Sequence, residues 1–326
     1  MKSNPRDESP AAGPVQEVDP SLRVAGRGGP AGPARPARRF ALFALILGIC
    51  YAQPLFELVR QAVSASLYSH VVLIPAISAY LVWTQRRRLP KGVSGSPRAA
   101  CFPLLAGAVI VATNSALRLR GWQPARDDSL CLLMVSFLSF LTGGLLWFLG
   151  AKMLRAVAFP FAFLIFIVPL PTVALHAIEV FFQHTSAEAA NLFLLLSGMT
   201  YDREGQVFRL PGITLQVAEE CSGIRSSLVL FITSLLAGHL FLKAPWRKAA
   251  LTLLVIPLGI VRNGFRIFVI SLLCVQVSPD MINSAIHRQG GPLFFALSLV
   301  PFFLVSLWLR NSERRRGGSG VPESEG

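Results

Sequence analysis

The sequence predicts an all-α protein, a polytopic transmembrane helix bundle of about eight spans. Three observations predict it. Hydrophobic residues make up 53% of the 326 residues and charged residues only 15%, where soluble domains carry roughly a quarter charged. The apolar residues gather in blocks of roughly 18–25, long enough to cross about 30 Å of hydrocarbon. The basic residues, which set a formal net charge of +14, lie in short segments between those blocks and at both ends. Cytoplasmic loops and anionic headgroups ask for that distribution, so membrane lipids rather than nucleic acid are the expected partners.

Residues 1–39 are rich in Pro, Gly, Ala and Arg, lack apolar periodicity and close on "ARPARRF". This composition predicts a disordered cytoplasmic tail. No small-residue cleavage site follows the first apolar block, so no cleavable signal peptide is expected. Spans are predicted at 40–58, 66–84, 101–117, 129–149, 156–175, 221–242, 249–274 and 290–309. Pro54, Pro75, Pro160, Pro257 and Pro301 fall inside them, which a membrane bundle tolerates at the expense of kinks. Residues 310–326 form a second basic tail.

Orientation follows from the loops. "QRRRLPKGVSGSPR" (85–98), "AKMLR" (151–155), "KAPWRK" (243–248) and "RNSERRR" (310–316) belong inside, so both termini are cytoplasmic. "RLRGWQPARDD" (118–128) then falls outside although it carries three arginines, partly offset by Asp127 and Asp128. The longest outer piece is about 176–220. Its first part, "HAIEVFFQHTSAEAANLFLLLSGMTY", repeats apolar residues at helical spacing beside His176, Glu179, His184 and Glu188, the pattern of a short extracytoplasmic amphipathic helix on the membrane surface. The alternative is a ninth helix, re-entrant or spanning, and the basic loops argue against spanning because it would invert everything after it. "DREGQVFRLPGITLQV" (202–217) follows, with Gly205, Pro211 and alternating apolar residues, and reads as a hairpin.

Cys50, Cys101, Cys131, Cys221 and Cys274 show neither a disulfide framework nor a zinc spacing, and no cofactor or metal site is expected. The chemistry gathers instead where "LQVAEECSGIRSSLVLFITSLL" (215–236) enters the sixth span. Cys221 opens that span beside Glu219 and Glu220, one turn before Arg225. The seventh span runs outward and holds Arg262, Asn263 and Arg266 in "LGIVRNGFRIFVISLL" (258–273), and the eighth begins just after His287. Cys, Arg and His from three distant segments thus approach one leaflet, although Arg266 lies roughly 12 Å below the outer end of its helix at helical rise.

Two readings of that convergence stand side by side. A thiol beside a base and a cation is a nucleophile: His287 takes its proton, and Arg266 stabilises the thiolate or the oxyanion. Glu219 and Glu220 oppose this, since adjacent carboxylates raise a thiol's pKa. Alternatively Arg262 and Arg266, as intramembrane cations, bind the anionic substrate of a polysaccharide transporter or export component. Arg225 reads equally as a headgroup anchor or a pocket residue. His70 and His239 read as satisfied polar residues, Gly290 and Gly291 as a packing point. Tyr68, Trp83, Trp122, Trp246 and Trp308 read as an interfacial aromatic belt.

"VAEECSGIRSS" (217–227), "RNGFRI" (262–267) and "HRQGGPLFF" (287–295) resemble the three signature blocks of the exosortase/archaeosortase family. "LYSHVVLIPAISAYLVW" (67–83), "IVPLPTVAL" (167–175) and "GQVFRLPGITLQV" (205–217) resemble further blocks, in the same order, over about residues 40–309. The resemblance implies a polytopic thiol peptidase or transpeptidase in a bacterial cytoplasmic membrane, working on the extracytoplasmic side. It implies Cys221 as nucleophile, Arg266 of the Asn-x-x-Arg element that begins at Asn263, and His287 as third member. Arg262, Arg225 and Glu220 would be supporting residues. The implied substrates are secreted proteins anchored by a C-terminal Pro-Glu-Pro type motif, an apolar span and a basic tail. Cleavage through a thioester would be resolved by water or by a glycan or lipid amine, in a cell that makes exopolysaccharide.

Overall fold

A computed structural model describes residues 34–64, 66–90, 94–122, 124–217, 223–278, 281 and 290–318. They form α1 (Ala34–Cys50), α2 (Ala52–Ser64), a 3-10 helix (Ser66–Val72), α3 (Leu73–Gln85), α4 (Pro97–Leu119), α5 (Arg126–Phe148), α6 (Gly150–Ala156), α7 (Ala158–Phe163) and α8 (Thr172–Leu196). A small sheet follows, β1 (Asp202–Glu204), β2 (Val207–Leu210) and β3 (Ile213–Gln216), and then α9 (Ile224–Phe241), α10 (Pro245–Leu253), α11 (Val255–Gln276) and α12 (Gly291–Gly318). The first and last helices thus take in residues 34–39 and 310–318, which composition assigns to tails. Residues 1–33 and 319–326 lie outside the described residues.

Prolines punctuate the helices at a fixed offset. The chain breaks at Tyr51, at the Val72–Leu73 change from 3-10 to α-helix, at Val157 and at Leu254. Pro54, Pro75, Pro160 and Pro257 each follow by three residues or fewer past the boundary. A proline has no N–H for the carbonyl four residues back and its ring crowds that carbonyl, so the turn before it gives way. The consequence is large twice: α1 and α2 meet at 71°, and α6 meets α7 with its 3-10 extension at 76°. Pro301, by contrast, lies within the unbroken α12.

Among the described residues five helices are long and apolar enough to cross a membrane, or seven segments if each bent pair is one span. The remaining predicted span, 66–84, is divided between the 3-10 helix and the 13 residues of α3. Predicted and observed spans otherwise agree to within a few residues at 101–117 and 129–149; the bent pair over 150–167 ends earlier than the predicted 156–175 because Pro169 and Pro171 admit no helix there. Large side chains such as Phe102, Leu119 and Val63 stand at least 80% exposed, a surface that water would not tolerate at this scale and hydrocarbon does. The protein is a polytopic helical membrane protein.

Helices meet where side chains are small. A methyl group added at Gly143 would lie 2.5 Å from Leu104 on α4, and one at Gly144 would overlap the Phe43 ring on α1, so this pair lets α5 touch both neighbours. Around α5 one core joins Leu47, Tyr51, Leu58, Met134, Phe163 and Ile232. Trp83, Trp122, Trp246 and Trp308 are exposed as a belt requires, but Tyr68 is buried. Its hydroxyl donates to Asp127, which also accepts from Gln61, so a hydrogen-bond partner inside the bundle outweighs the interfacial preference of the phenol. Asp128 likewise acts as a strut, accepting from the backbone N–H and hydroxyl of Thr172 at the start of α8.

The expected short amphipathic helix is 25 residues long, about 37 Å at helical rise. It stands against α11 instead of lying alone. Gly264 makes this possible: a Cβ there would lie 2.5 Å from that of Ala189 and 2.9 Å from the Ala190 nitrogen. The hairpin gains a third strand, β1, in the antiparallel order β1-β2-β3. Phe208, Leu210 and Leu215 of the sheet bury against Ala187, Ala190 and Leu194 of α8 and Ile267 of α11.

Candidate active site

Helices α10 and α11 run on as a single apolar stretch of 32 residues, Pro245–Gln276. At 1.5 Å per residue this is about 48 Å, some 18 Å more than the hydrocarbon is thick. The polar residues of "RNGFRI" fall just past the midpoint of this stretch, and it is this half of α11 that carries α8 and the sheet. The sixth span meets α11 far from its end. Gly223, the first described residue of that arm, touches Arg262, which lies fourteen residues before the end of α11 at Gln276. Arg266 is one turn further along the same face. The described parts of the two blocks meet midway along the helix, not at its end.

Their contact is specific. Gly223 holds φ +69° and caps α9. Its carbonyl accepts from Arg262 Nη2 at 3.0 Å, from the Ser226 hydroxyl at 3.0 Å and from the Ser227 N–H at 3.0 Å. Arg262 Nη2 also donates to Ser227 Oγ at 3.3 Å. A side chain at Gly223 would put Cβ 2.8 Å from Arg262 Nη2 and 3.0 Å from Asn263 Oδ1, so position 223 needs glycine for both its dihedral and its neighbours. Arg262 and Asn263 are both buried. The other terminal nitrogen of Arg262, Nη1, is buried with no hydrogen-bond partner among the described residues.

The arm is held on its other side too. Gln183, buried on α8, donates from Nε2 to the carbonyl of Val217 at 2.5 Å. The sheet that delivers Val217 is pinned to α8 by a forked pair, Arg203 Nη1 to Glu188 Oε2 at 3.0 Å and Nη2 to Oε1 at 2.7 Å. Hydrogen bonding to Arg203 holds the Glu188 carboxyl below the usual carboxylate range, and the same bond raises the guanidinium. Between Val217 and Gly223 run residues 218–222. Glu219, Glu220 and Cys221 are among them and lie outside the described residues, as does His287.

The third signature block touches the same helix through rings. Phe294 of α12 packs on Phe265 of α11 at 6.4 Å between centroids, and Phe265 packs on Phe193 of α8 at 5.8 Å. Described parts of all three blocks therefore converge on residues 262–265 of α11. Arg225 stands exposed on the first turn of α9. His70 is buried and lines a cavity of about 410 Å³ together with Tyr68, Pro169, Phe182, Ile224 and Ser227. His239 stacks flat on Phe159 at 3.6 Å. Gln183, Gly223 and Ser227 are the anchors the sequence did not announce. Glycine just after a cysteine was the available signal for one of them; the others follow no spacing.

The family model described as transmembrane exosortase, of the EpsH type, matches residues 61–304. No curated protein and no solved structure gives a significant match.

Proposed function

Because the chain belongs to the transmembrane exosortase family, whose members have a membrane transpeptidase and sorting role, we propose that it is a cysteine peptidase/transpeptidase acting on anchored secreted proteins. Cys221 is the nucleophile. Its thiolate adds to the scissile carbonyl near a Pro-Glu-Pro type motif; His287 takes the thiol proton and returns it to the leaving amine as the C–N bond breaks. Arg266, placed by the Asn-x-x-Arg element, stabilises the oxyanion. The thioester is then resolved by water or by an amine of a surface glycan or lipid, which regenerates the thiol. Arg262 and Asn263 are positioning residues, and Arg225 and Glu220 assist at the rim.

The observation that carries this reading is the Arg262–Gly223 contact: it ties the arginine block to the chain two residues beyond Cys221. The rival reading, an anion transporter built on Arg262 and Arg266, is weakened by it, since one guanidinium nitrogen is already committed to a backbone carbonyl. An eighth span follows if Ser66–Gln85 crosses as one piece, about 34 Å from seven residues of 3-10 and thirteen of α-helix. Both termini are then cytoplasmic, in a bacterial inner membrane, with the tails at 1–39 and 310–326 inside. The start of α9 lies at the outer surface, and α8, the sheet and the far half of α11 stand outside it.

Processing of a tagged substrate in membranes, followed by mass spectrometry, tests the reading. Wild-type protein should yield a peptide joined to Cys221 as a thioester; Cys221→Ala and Cys221→Ser should lose both adduct and cleavage. Wild-type cleavage by either variant sinks it.

A further inference from the structure

The 410 Å³ cavity has no assigned occupant. Its walls come from the 3-10 helix (Tyr68, His70), the Pro169–Pro171 turn, α8 (Ile178, Phe182), the first two turns of α9 and the start of α11. The few polar groups in that lining include the Tyr68 hydroxyl, already turned to Asp127, and the Ser227 hydroxyl, engaged by Arg262. Two rim residues, Ile165 and Ile256, are 52% and 39% exposed. Both belong to segments apolar and long enough to cross the membrane, so the opening is continuous with the lipid-facing surface.

Size and chemistry select the occupant. A helix about 10 Å wide has a cross-section of roughly 80 Å², so 410 Å³ holds only about one turn of it. An extended peptide fits in girth but brings an N–H and a C=O per residue, which this lining does not satisfy. A hydrocarbon chain brings neither. Arg225 supplies the complement for a headgroup: it is exposed on α9, about 60° around the helix from the cavity-lining Leu228 at 100° per residue. We propose that this cavity binds one acyl chain of a bilayer phospholipid, whose phosphate lies against Arg225. The proposal stands apart from the peptidase reading, because its test does not measure processing.

The test uses the full-length protein in nanodiscs of phosphatidylethanolamine and phosphatidylglycerol, doped with a phospholipid that carries a diazirine midway along one acyl chain. Cross-links are mapped by mass spectrometry. Cys131, Phe182 and Val255, cavity-lining and buried in the bundle, should be labelled at least tenfold above Met134, Leu194 and Leu251, which are buried elsewhere. Ile178→Trp, which narrows the cavity, should reduce that labelling at least fivefold while lipid-facing Phe102 is labelled as before. Arg225→Glu should reduce it at least threefold. Equal labelling of the two buried sets in wild-type protein overturns the proposal whatever the variants do, and labelling unchanged in both variants overturns it as well.

Discussion

Arg262 and Gly223 are 39 positions apart, yet a guanidinium nitrogen of one lies 3.0 Å from the carbonyl oxygen of the other. The arginine thereby fixes where α9 begins, and a residue in left-handed conformation fixes how the chain turns into it. In a low-dielectric setting such a charge-assisted bond is stronger than a neutral one. The arm that carries Cys221 is set by α11 on one side and by Gln183 of α8 on the other.

Arg262→Lys should lower substrate processing at least tenfold although it keeps the charge. Lysine ends in a compact ammonium on a flexible stem and lacks the planar guanidinium that holds Nη2 against both Gly223 and Ser227. Quantitative immunoblots of processed substrate, normalised to enzyme inserted in membranes, measure it. Equal processing by lysine would mean that charge alone matters.

Gly223→Ala should cost about 1–3 kcal/mol through the left-handed backbone and should reduce processing further by displacing Arg262 Nη2. Thermal unfolding in detergent reports the first effect and the processing assay the second. A variant as stable and active as wild type would show that the turn relaxes freely.

Gln183→Leu removes the donor to the Val217 carbonyl. A buried acceptor left unsatisfied costs about 1–3 kcal/mol. The expected outcome is a lowered unfolding temperature and faster proteolysis of the 202–217 segment, with insertion intact. Gln183→Glu, which offers no donor when ionised, should behave no better.

The Glu188–Arg203 pair makes an acid-sensitive joint. Because the native carboxyl titrates below its unfolded value, its contribution is complete above the ordinary glutamate value of about 4.3 and disappears as pH falls through the lowered native one. Glu188 is largely exposed, so solvent screening holds the effect to about 0.5 kcal/mol. The protection factors of residues 202–216, exchange measured against the intrinsic rate at each pH, should therefore be flat from pH 5 to 8 and fall below pH 4, and Glu188→Gln should abolish that acid-dependent fall.

Membrane character was legible from composition, and the breaks from the prolines. Boundaries of α4 and α5 follow from unbroken apolar runs flanked by charge. The sheet was harder. β1 is "DRE", three charged residues with no apolar alternation, held as a strand by cross-strand pairs such as Arg209 with Glu204 and Asp202. Tyr68 misled because an aromatic at the start of an apolar run looks interfacial until Asp127 appears beside it. Gln183 gives no local sign at all: its partner is 34 residues away and depends on how α8 seats against α11. What stayed hidden is what tertiary contact decides. The level at which α9 meets α11 belongs to the same class, since apolar length alone never says how two helices are staggered.

The proline breaks have a mechanical side. Cys50, Val71, Ala156 and Leu253 each have a carbonyl whose usual donor four residues on is a proline. One of the backbone hydrogen bonds that would resist bending there is already removed by the sequence. Those four points are hinges whose stiffness was reduced in advance, each presenting a polar atom that a water molecule can wet at the edge of an oily interior.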